Sequence, residues 1–573
     1  MLTGSSPDDH SQGNPLLERA AVLLAVALML LGAVIRLRAY LVQSPLYIDE
    51  ALLVQNILTR SIARLWQPLD LAQSAPPLFL VAVQAIGRAF GYGERALRVL
   101  PLLAGCILLP VAWMASRQML AKEESAIVVA LLALSPIAIF YANMFKPYSS
   151  DMLVTAVIIG VSIPAIRLPS NRRLLLVALT GVLCILVSST ALFVLGGAGA
   201  SLGIRALRDR ATRTIVAVAA MGAVWCGLIV ALLRTTYAQL SDPGSAAALY
   251  MHDFWKSTFF LHSKRGLVDS LRRSMASLLS ASFFDNPGGD HFGVVTIILL
   301  VLFVIGLVVL LRRERDLFVL LAVPLVMLLL ASLANRYPLG TRLVLFMAPI
   351  TAIGIAIGMG AVLRRFPPVA RIGLLACALA VPGLHGLSLL KHPQDPAPRT
   401  PYDEWISRGA QLSVPDASAI FVRSEDVPTL LYYGFDKSRP DSAVARRLLN
   451  LIDLRGPVPL FTPMRDLIGL PRDVPDSALL VPVKARRVLV MRQSWFFASR
   501  GRTRPDSAWG PREAASIRAA GPCTDIYLGP VTSEDEALST AIESLGGVIT
   551  NRRQVRANSR FRACFPARSP APG

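Results

Sequence analysis

The sequence predicts a mainly α, polytopic membrane protein with a C-terminal α/β domain outside the bilayer. Three observations carry the prediction. Of 573 residues, 54% are hydrophobic and only 17% charged, a balance that a soluble chain of this length does not carry. The apolar residues gather into about eleven runs of bilayer-spanning length, roughly 17–25 residues each. The cations between those runs fall in alternate loops.

The runs lie near 21–41, 99–117, 125–142, 151–167, 173–189, 190–205, 214–233, 293–312, 316–334, 342–363 and 371–390. The first is followed by no clear small-residue cleavage site, so it reads as an uncleaved anchor. The fifth and sixth form one apolar stretch, split here into a short hairpin. A further run, 75–90, is shorter and contains Pro76, Pro77, Gln84 and Arg88. It reads as an interfacial or re-entrant helix.

Five short loops hold Arg117 and Lys122; Arg167, Arg172 and Arg173; Arg205, Arg208, Arg210 and Arg213; Arg312, Arg313 and Arg315; and Arg364, Arg365 and Arg371. The opposite short loops hold only Lys146, Arg336 and Arg342. This asymmetry places the five basic loops in the cytoplasm. Residues 42–98, 234–292 and 391–573 then lie outside. Arg36 and Arg38, at the outer end of the first run, go against the rule. The net charge of +21 is accounted for by loop placement, and no zinc-finger spacing or RNA-binding signature accompanies it. Nucleic acid is excluded as a partner.

Two domains follow: 1–391 in the membrane and 392–573 as an extracytoplasmic α/β domain. A proline-rich linker, HPQDPAPRTP, opens the tail. SAIFVRS, RRVLVMRQ and TDIYLGP read as strands. Residues 532–546 read as a helix capped by Thr532 and stopped at Gly546. Cys523 and Cys564 are the only two cysteines in the tail, and an oxidising compartment favours a disulfide between them.

Candidate chemistry sits at the outer ends of the runs. Asp49 and Glu50 follow the first run in SPLYIDEALLV. They read either as solvated acids at a helix N-terminus or as functional carboxylates at a membrane boundary. YANMFKPYSSDML brings Lys146, Tyr148 and Asp151 together, and ANRYPLGTRL brings Arg336, Tyr337 and Arg342. Convergence of these loops would make a charged pocket at the membrane surface. Cations there hold a lipid-linked phosphate, or else snorkel to headgroups. A carboxylate takes the proton of an acceptor hydroxyl. Adjacent Asp49 and Glu50 favour retention of one proton unless cations or a metal compensate.

The order of these motifs resembles the GT-C glycosyltransferases, in particular the lipid-phosphate-sugar branch. That branch holds the protein O-mannosyltransferases, the lipid A aminoarabinose transferase and the RgtA/B/C/D-like enzymes. The resemblance rests on YIDEALL, SAPPLFLVAVQAIGRAFG, GERALRVLPLLAGCILLPVAW, LSPIAIFYANMFKPYSSD and RYPLGTRLVLF, over roughly residues 20–390. It implies an inverting glycosyltransferase in a bacterial inner membrane, moving a sugar from a polyprenyl-phosphate donor to an extracytoplasmic lipid, glycan or protein acceptor. It implies Asp49, Glu50 and Asp151 as catalytic acids, and Lys146, Tyr148, Arg336, Tyr337 and Arg342 as donor-phosphate or substrate groups. A divalent metal would take Asp49 and Asp151 as ligands. Many relatives place a Glu two residues before the loop cation, where this chain has Met144. A transporter or lipid flippase is the alternative from another class, disfavoured by the absence of a convincing internal repeat. A membrane scaffold with an outer binding domain is a third.

Overall fold

The computed structural model describes residues 15–42, 46–70, 73–260, 266–284 and 293–367, and in the tail chiefly 419–421, 487–490, 523–528, 533–555 and 558–565. The chain divides into two compact units. The first comprises Met1–Gln43, Ala75–Ser241 and Met251–Ala397; the second comprises Ser44–Ser74, Asp242–Tyr250 and Pro398–Gly573. Two inter-span segments are thus grouped with the tail.

The helices before the first long inter-span break are α1 (Pro15–Val42), α2 (Ile48–Thr59), α3 (Pro77–Phe90), α4 (Glu94–Ser116), α5 (Lys122–Ala133), α6 (Pro136–Tyr141), α7 (Tyr148–Arg167), α8 (Asn171–Val187), α9 (Ala191–Arg208) and α10 (Thr212–Arg234). After it come α11 (Ala238–Ser241), α12 (Ala246–Trp255), α13 (Leu267–Leu278), α14 (Ser280–Phe283), α15 (Val294–Arg313), α16 (Arg315–Leu333), α17 (Thr341–Val344) and α18 (Ala348–Leu363). Among the described residues, eight helices are long and apolar enough to cross a bilayer: α1, α4, α7, α9, α10, α15, α16, and α17 continued through α18. The chain is an integral membrane protein by this measure. The fifth expected run is the 17-residue α8. It is joined to α9 by Ser188–Thr190 alone, as the split hairpin requires. The eleventh, 371–390, lies outside the described residues except at isolated positions.

The third expected run, 125–142, is not one helix. Proline at 136 has no N–H to give Leu132 and its ring clashes with that carbonyl. It also biases Ser135 toward extended backbone, and Ser135 sits at φ −63°, ψ 118°. The helix therefore ends at Ala133 and restarts as α6, with the Ser135 hydroxyl accepting the Ala138 N–H at 3.1 Å. The break leaves carbonyls at the end of α5 inside an apolar bundle, where each unmatched one is expensive. Arg36 of α1 supplies the donors: Nη1 to Ala133 O at 2.9 Å and Nη2 to Leu132 O at 2.8 Å. Arg36 is fully buried, whereas Arg38 is exposed. Arg36 thus serves packing, which accounts for its place against the charge rule.

The same contacts set the direction of the first helices. Lys122 at the start of α5 pairs with Glu18 at the start of α1 at 2.6 Å, and Arg36 reaches the end of α5. Helices α1 and α5 therefore run parallel, and α4, which ends beside the start of α5, runs against α1. The chain between α1 and α4 leaves and returns at one end of the bundle, so α3 does not cross. It is a 14-residue helix, held by stacking of Phe79 on Phe145 at 6.0 Å.

At the basic end, ion pairs tie helices that are distant in sequence. Arg167 grips Glu314 in a bidentate pair at 2.8 and 3.0 Å, Arg208 reaches Asp316 at 2.7 Å, and Arg364 bonds Glu124. In the apolar middle, α15 and α18 pack backbone to backbone. A Cβ on Gly306 would stand 1.9 Å from Gly354 O, and one on Gly358 would stand 1.8 Å from Leu302 O. Only glycine permits that approach.

In the second unit, strands β1 (Ala419–Phe421), β2 (Arg487–Val490), β3 (Cys523–Leu528), β4 (Val548–Val555) and β5 (Asn558–Cys564) form one sheet in the order β1-β2-β3-β5-β4. The first two pairings are parallel and the last two antiparallel. Helix α19 (Ser533–Ser544) leads from β3 toward β4 and stops where Gly546 turns to φ +77°. The three expected strand segments are β1, β2 and β3; the β4–β5 hairpin adds two more. Cys523 and Cys564 face each other across the β3–β5 ladder and are disulfide-bonded.

Two outcomes follow. Arg36→Met strands the α5 carbonyls and lowers stability by about 2–4 kcal/mol, read as the melting shift of purified protein in detergent, while exposed Arg38→Met stays within about 0.5 kcal/mol. Equal shifts would remove Arg36 from its structural role. Peptides containing Cys523 and Cys564 should run as one linked mass without reductant, and breaking the link should cost the tail domain about 2–4 kcal/mol.

Candidate functional site

At the end of the first unit opposite the basic loops, α7 begins with Tyr148, Ser149, Ser150 and Asp151. Asp151 is 5% exposed. The Ser188 hydroxyl lies beside its carboxylate; Ser188 closes α8, and the Ser188 and Thr190 hydroxyls are 3.0 Å apart. The second carboxylate oxygen, Oδ1, has no hydrogen-bond partner among the described residues. A buried carboxylate oxygen left so is costly, which makes the position a candidate functional one.

Two tyrosines sense this carboxylate. Burial first, then the charge of Asp151, raises the Tyr237 phenol above its ordinary range. Burial, then Asp151, then Tyr148, raises that of Tyr337. Tyr337 is fixed by its hydroxyl, which donates to Leu343 O at 2.8 Å. Its ring meets Phe193 edge-on at 5.2 Å. Tyr148 in turn meets Tyr141 edge-on at 4.7 Å. Asp151 and Tyr148 share the first turn of α7, and the phenols of Tyr237 and Tyr337 lie within electrostatic range of the carboxylate.

The cations divide. Lys146 is 7% exposed, in the tight turn where its N–H bonds Met144 O at 2.7 Å. Arg342 lays its guanidinium over the Trp255 indole at 4.8 Å, a cation–π contact that fixes the plane of its donors. Arg336 is exposed in the turn after α16, and among the described residues it makes no ion pair.

Asp49 and Glu50 belong to the second unit, in the first turn of α2. The Tyr47 N–H donates to Glu50 Oε2 at 2.9 Å. Glu50 is fully buried and Asp49 half-buried. One oxygen of Glu50 therefore caps the helix, as the N-terminal reading requires. The helix is braced from Asp70, whose N–H bonds Asn56 Oδ1 at 2.8 Å and whose carboxylate pairs with Arg60 at 2.8 Å.

A divalent cation asks for several hard oxygen ligands, carboxylates foremost. Around Asp151 the neighbours are hydroxyls, and among the described residues no three His, Cys, Asp or Glu side chains gather to hold a metal. The described residues do not fit a metal.

No family model matches the chain, and no curated protein does. Among solved structures it is similar to ArnT from Cupriavidus metallidurans bound to undecaprenyl phosphate, at 14% identity over 95% of this chain and 97% of that one, TM-score 0.43. It is also similar to the archaeal oligosaccharyltransferase AglB from Archaeoglobus fulgidus in complex with an inhibitory peptide and a dolichol-phosphate. There the identity is 12% over 94% of this chain and 74% of that one, TM-score 0.45.

Tyr237 and Tyr337 hold their protons where free tyrosines lose them, at about pH 10. Folding therefore binds protons at high pH: this contribution to stability is complete below the unfolded value and is lost as pH rises from there toward the folded values. Ultraviolet titration should find Tyr237 and Tyr337 among the tyrosines that lag, and Tyr337→Phe should leave one fewer laggard. Uniform titration would contradict the burial.

Proposed function

We propose that the chain is an integral-membrane, inverting glycosyltransferase of GT-C type. It moves a sugar from a polyprenyl-phosphate donor to an acceptor on the extracytoplasmic side of a bacterial inner membrane. The observation that carries the reading is Asp151: a buried carboxylate with an open oxygen, at the bundle end that also holds buried Lys146 and the stacked Arg342. The cation distribution between loops supports the orientation.

In this reaction the acceptor O–H gives its proton to a carboxylate. The oxygen attacks the anomeric carbon on the face opposite the phosphate, and the carbon–oxygen bond to phosphate breaks with its electron pair. Asp49 is the base, on its place in the YIDEALL motif. Lys146 and Arg342 hold the phosphate, which leaves as polyprenyl phosphate. Tyr148 and Tyr337 shape the pocket around Asp151. Glu50 supports Asp49 through the cap of α2.

Purified protein supplied with a panel of polyprenyl-phosphate sugars should release polyprenyl phosphate. Asp49→Asn should keep expression and lower turnover by about 10²–10⁴-fold; full turnover in that variant removes Asp49 from the mechanism. Glu50→Gln, which keeps the capping oxygen, should retain most turnover. Lys146→Ala and Arg342→Ala should raise KM by about 10- to 100-fold, weakening donor binding more than folding. An unchanged KM would detach both from the phosphate.

A further inference from the structure

Two segments of the first unit that are distant in sequence, 251–260 and 332–345, are fastened together by two hydrogen bonds. The Leu339 N–H donates to Thr258 O at 2.9 Å, and the Phe260 N–H donates to Ser332 Oγ at 2.9 Å. The same two segments meet a third time where the Arg342 guanidinium lies over the Trp255 indole, 4.8 Å from its centre.

Each partner in this stack stands on a held backbone. Trp255 ends α12, and its carbonyl accepts from Thr258 Oγ1 at 2.8 Å. Arg273 Nη1 donates to Ser257 O at 2.9 Å, two residues further on. On the other side, the Tyr337 hydroxyl donates to Leu343 O at 2.8 Å and closes the turn that carries Arg342. Gly340 lies against the same indole: a Cβ there would stand 2.7 Å from Trp255 Cζ3. The backbone of Gly340, at φ −70° and ψ 144°, is one that any residue adopts. The ring, and not the backbone, therefore requires glycine two residues before the arginine.

A guanidinium carries its N–H donors in one plane. Stacking one of its faces on a fixed ring sets that plane while leaving the donors directed along it. An arginine without such support loses its rotamer freedom only on meeting a ligand, and the loss weakens binding. We propose that Trp255 is a positioning residue for the donor phosphate. It acts through the stack, without touching lipid or sugar, and orders the Arg342 guanidinium for two parallel N–H···O bonds to the phosphate. The inference rests on the proposed role of Arg342 in holding that phosphate, and it adds Trp255, which no motif marked.

The test is equilibrium binding of polyprenyl phosphate to the full chain in detergent. Trp255→Leu, which removes the aromatic face, should weaken binding about 3- to 10-fold, and Trp255→Phe should recover part of the loss. Gly340→Ala leaves both stacked side chains chemically intact and displaces the indole, so it should weaken binding by a similar factor. The deciding measurement is the double variant. Trp255→Leu added to Arg342→Ala should cost no further affinity, because Trp255 acts only through Arg342. A second loss of about 3-fold or more in that background, or unchanged affinity in Trp255→Leu alone, overturns the positioning role. Should Trp255→Leu fail to fold, Gly340→Ala goes through the same cycle with the same two outcomes. If wild type does not bind polyprenyl phosphate, or Arg342→Ala binds it as wild type does, the phosphate reading of Arg342 falls and the inference falls with it. Additive losses beside a weakened Arg342→Ala overturn the positioning alone.

Discussion

The membrane unit depends on the meeting of one buried arginine with the broken end of one helix. Pro136 forbids α5 from continuing, and the bundle interior offers no water to the carbonyls this exposes. Arg36 answers with two nitrogens on two carbonyls, and a positive charge at a helix C-terminus also meets the dipole favourably. The pairing fixes α1 beside α5. It allows Ser135 to turn from helix interior to cap, where the same hydroxyl donates to Ser282 O at 2.7 Å. The chain then leaves α6 toward the turn that holds Lys146 and the first turn of α7. The placement of Asp151 thus begins with a proline fifteen residues earlier and an arginine on another helix.

The two ends of this bundle treat carboxylates in opposite ways. At the basic end, Glu18, Glu124, Glu314 and Asp316 each meet a cation from another helix. Such partly exposed pairs contribute little energy singly, but they fix which helix ends adjoin. At the other end Asp151 is met by hydroxyls. Hydroxyls stabilise a buried carboxylate less than a guanidinium does, so the second arrangement is poor as structure. That contrast within one molecule separates fastening from function better than burial alone.

Much of this was legible in the sequence and some was not, for physical reasons. Run length and loop charge gave the spans. They could not give the break in 125–142, because hydropathy sums are blind to a single proline in an otherwise apolar run. Arg36 looked like an exception to the charge rule because side-chain count carries no depth. In the tail, β4 and β5 escaped because Arg552, Arg553, Arg560 and Arg562 mask the strand pattern of a hairpin. At the site, Lys146, Tyr148 and Asp151 were legible as a cluster in one short loop. Glu50 was legible only as an ambiguity, which its bond to the Tyr47 N–H resolves toward a cap at one oxygen. Tyr237 was invisible: a lone tyrosine after a span has no periodicity, and its burial is set by tertiary packing alone.

Under the proposed function, the separation of charges within the first unit has a further meaning. Asp151 sits among serine and tyrosine hydroxyls, while the Arg342 guanidinium is stacked on indole and Lys146 is buried in its own turn. A donor with an anionic phosphate at one end and a polyol at the other is a dipolar object. A carboxylate set among hydroxyls and cations held on other elements offer its two ends different chemistry, each in a preorganised environment, and that difference orients the donor.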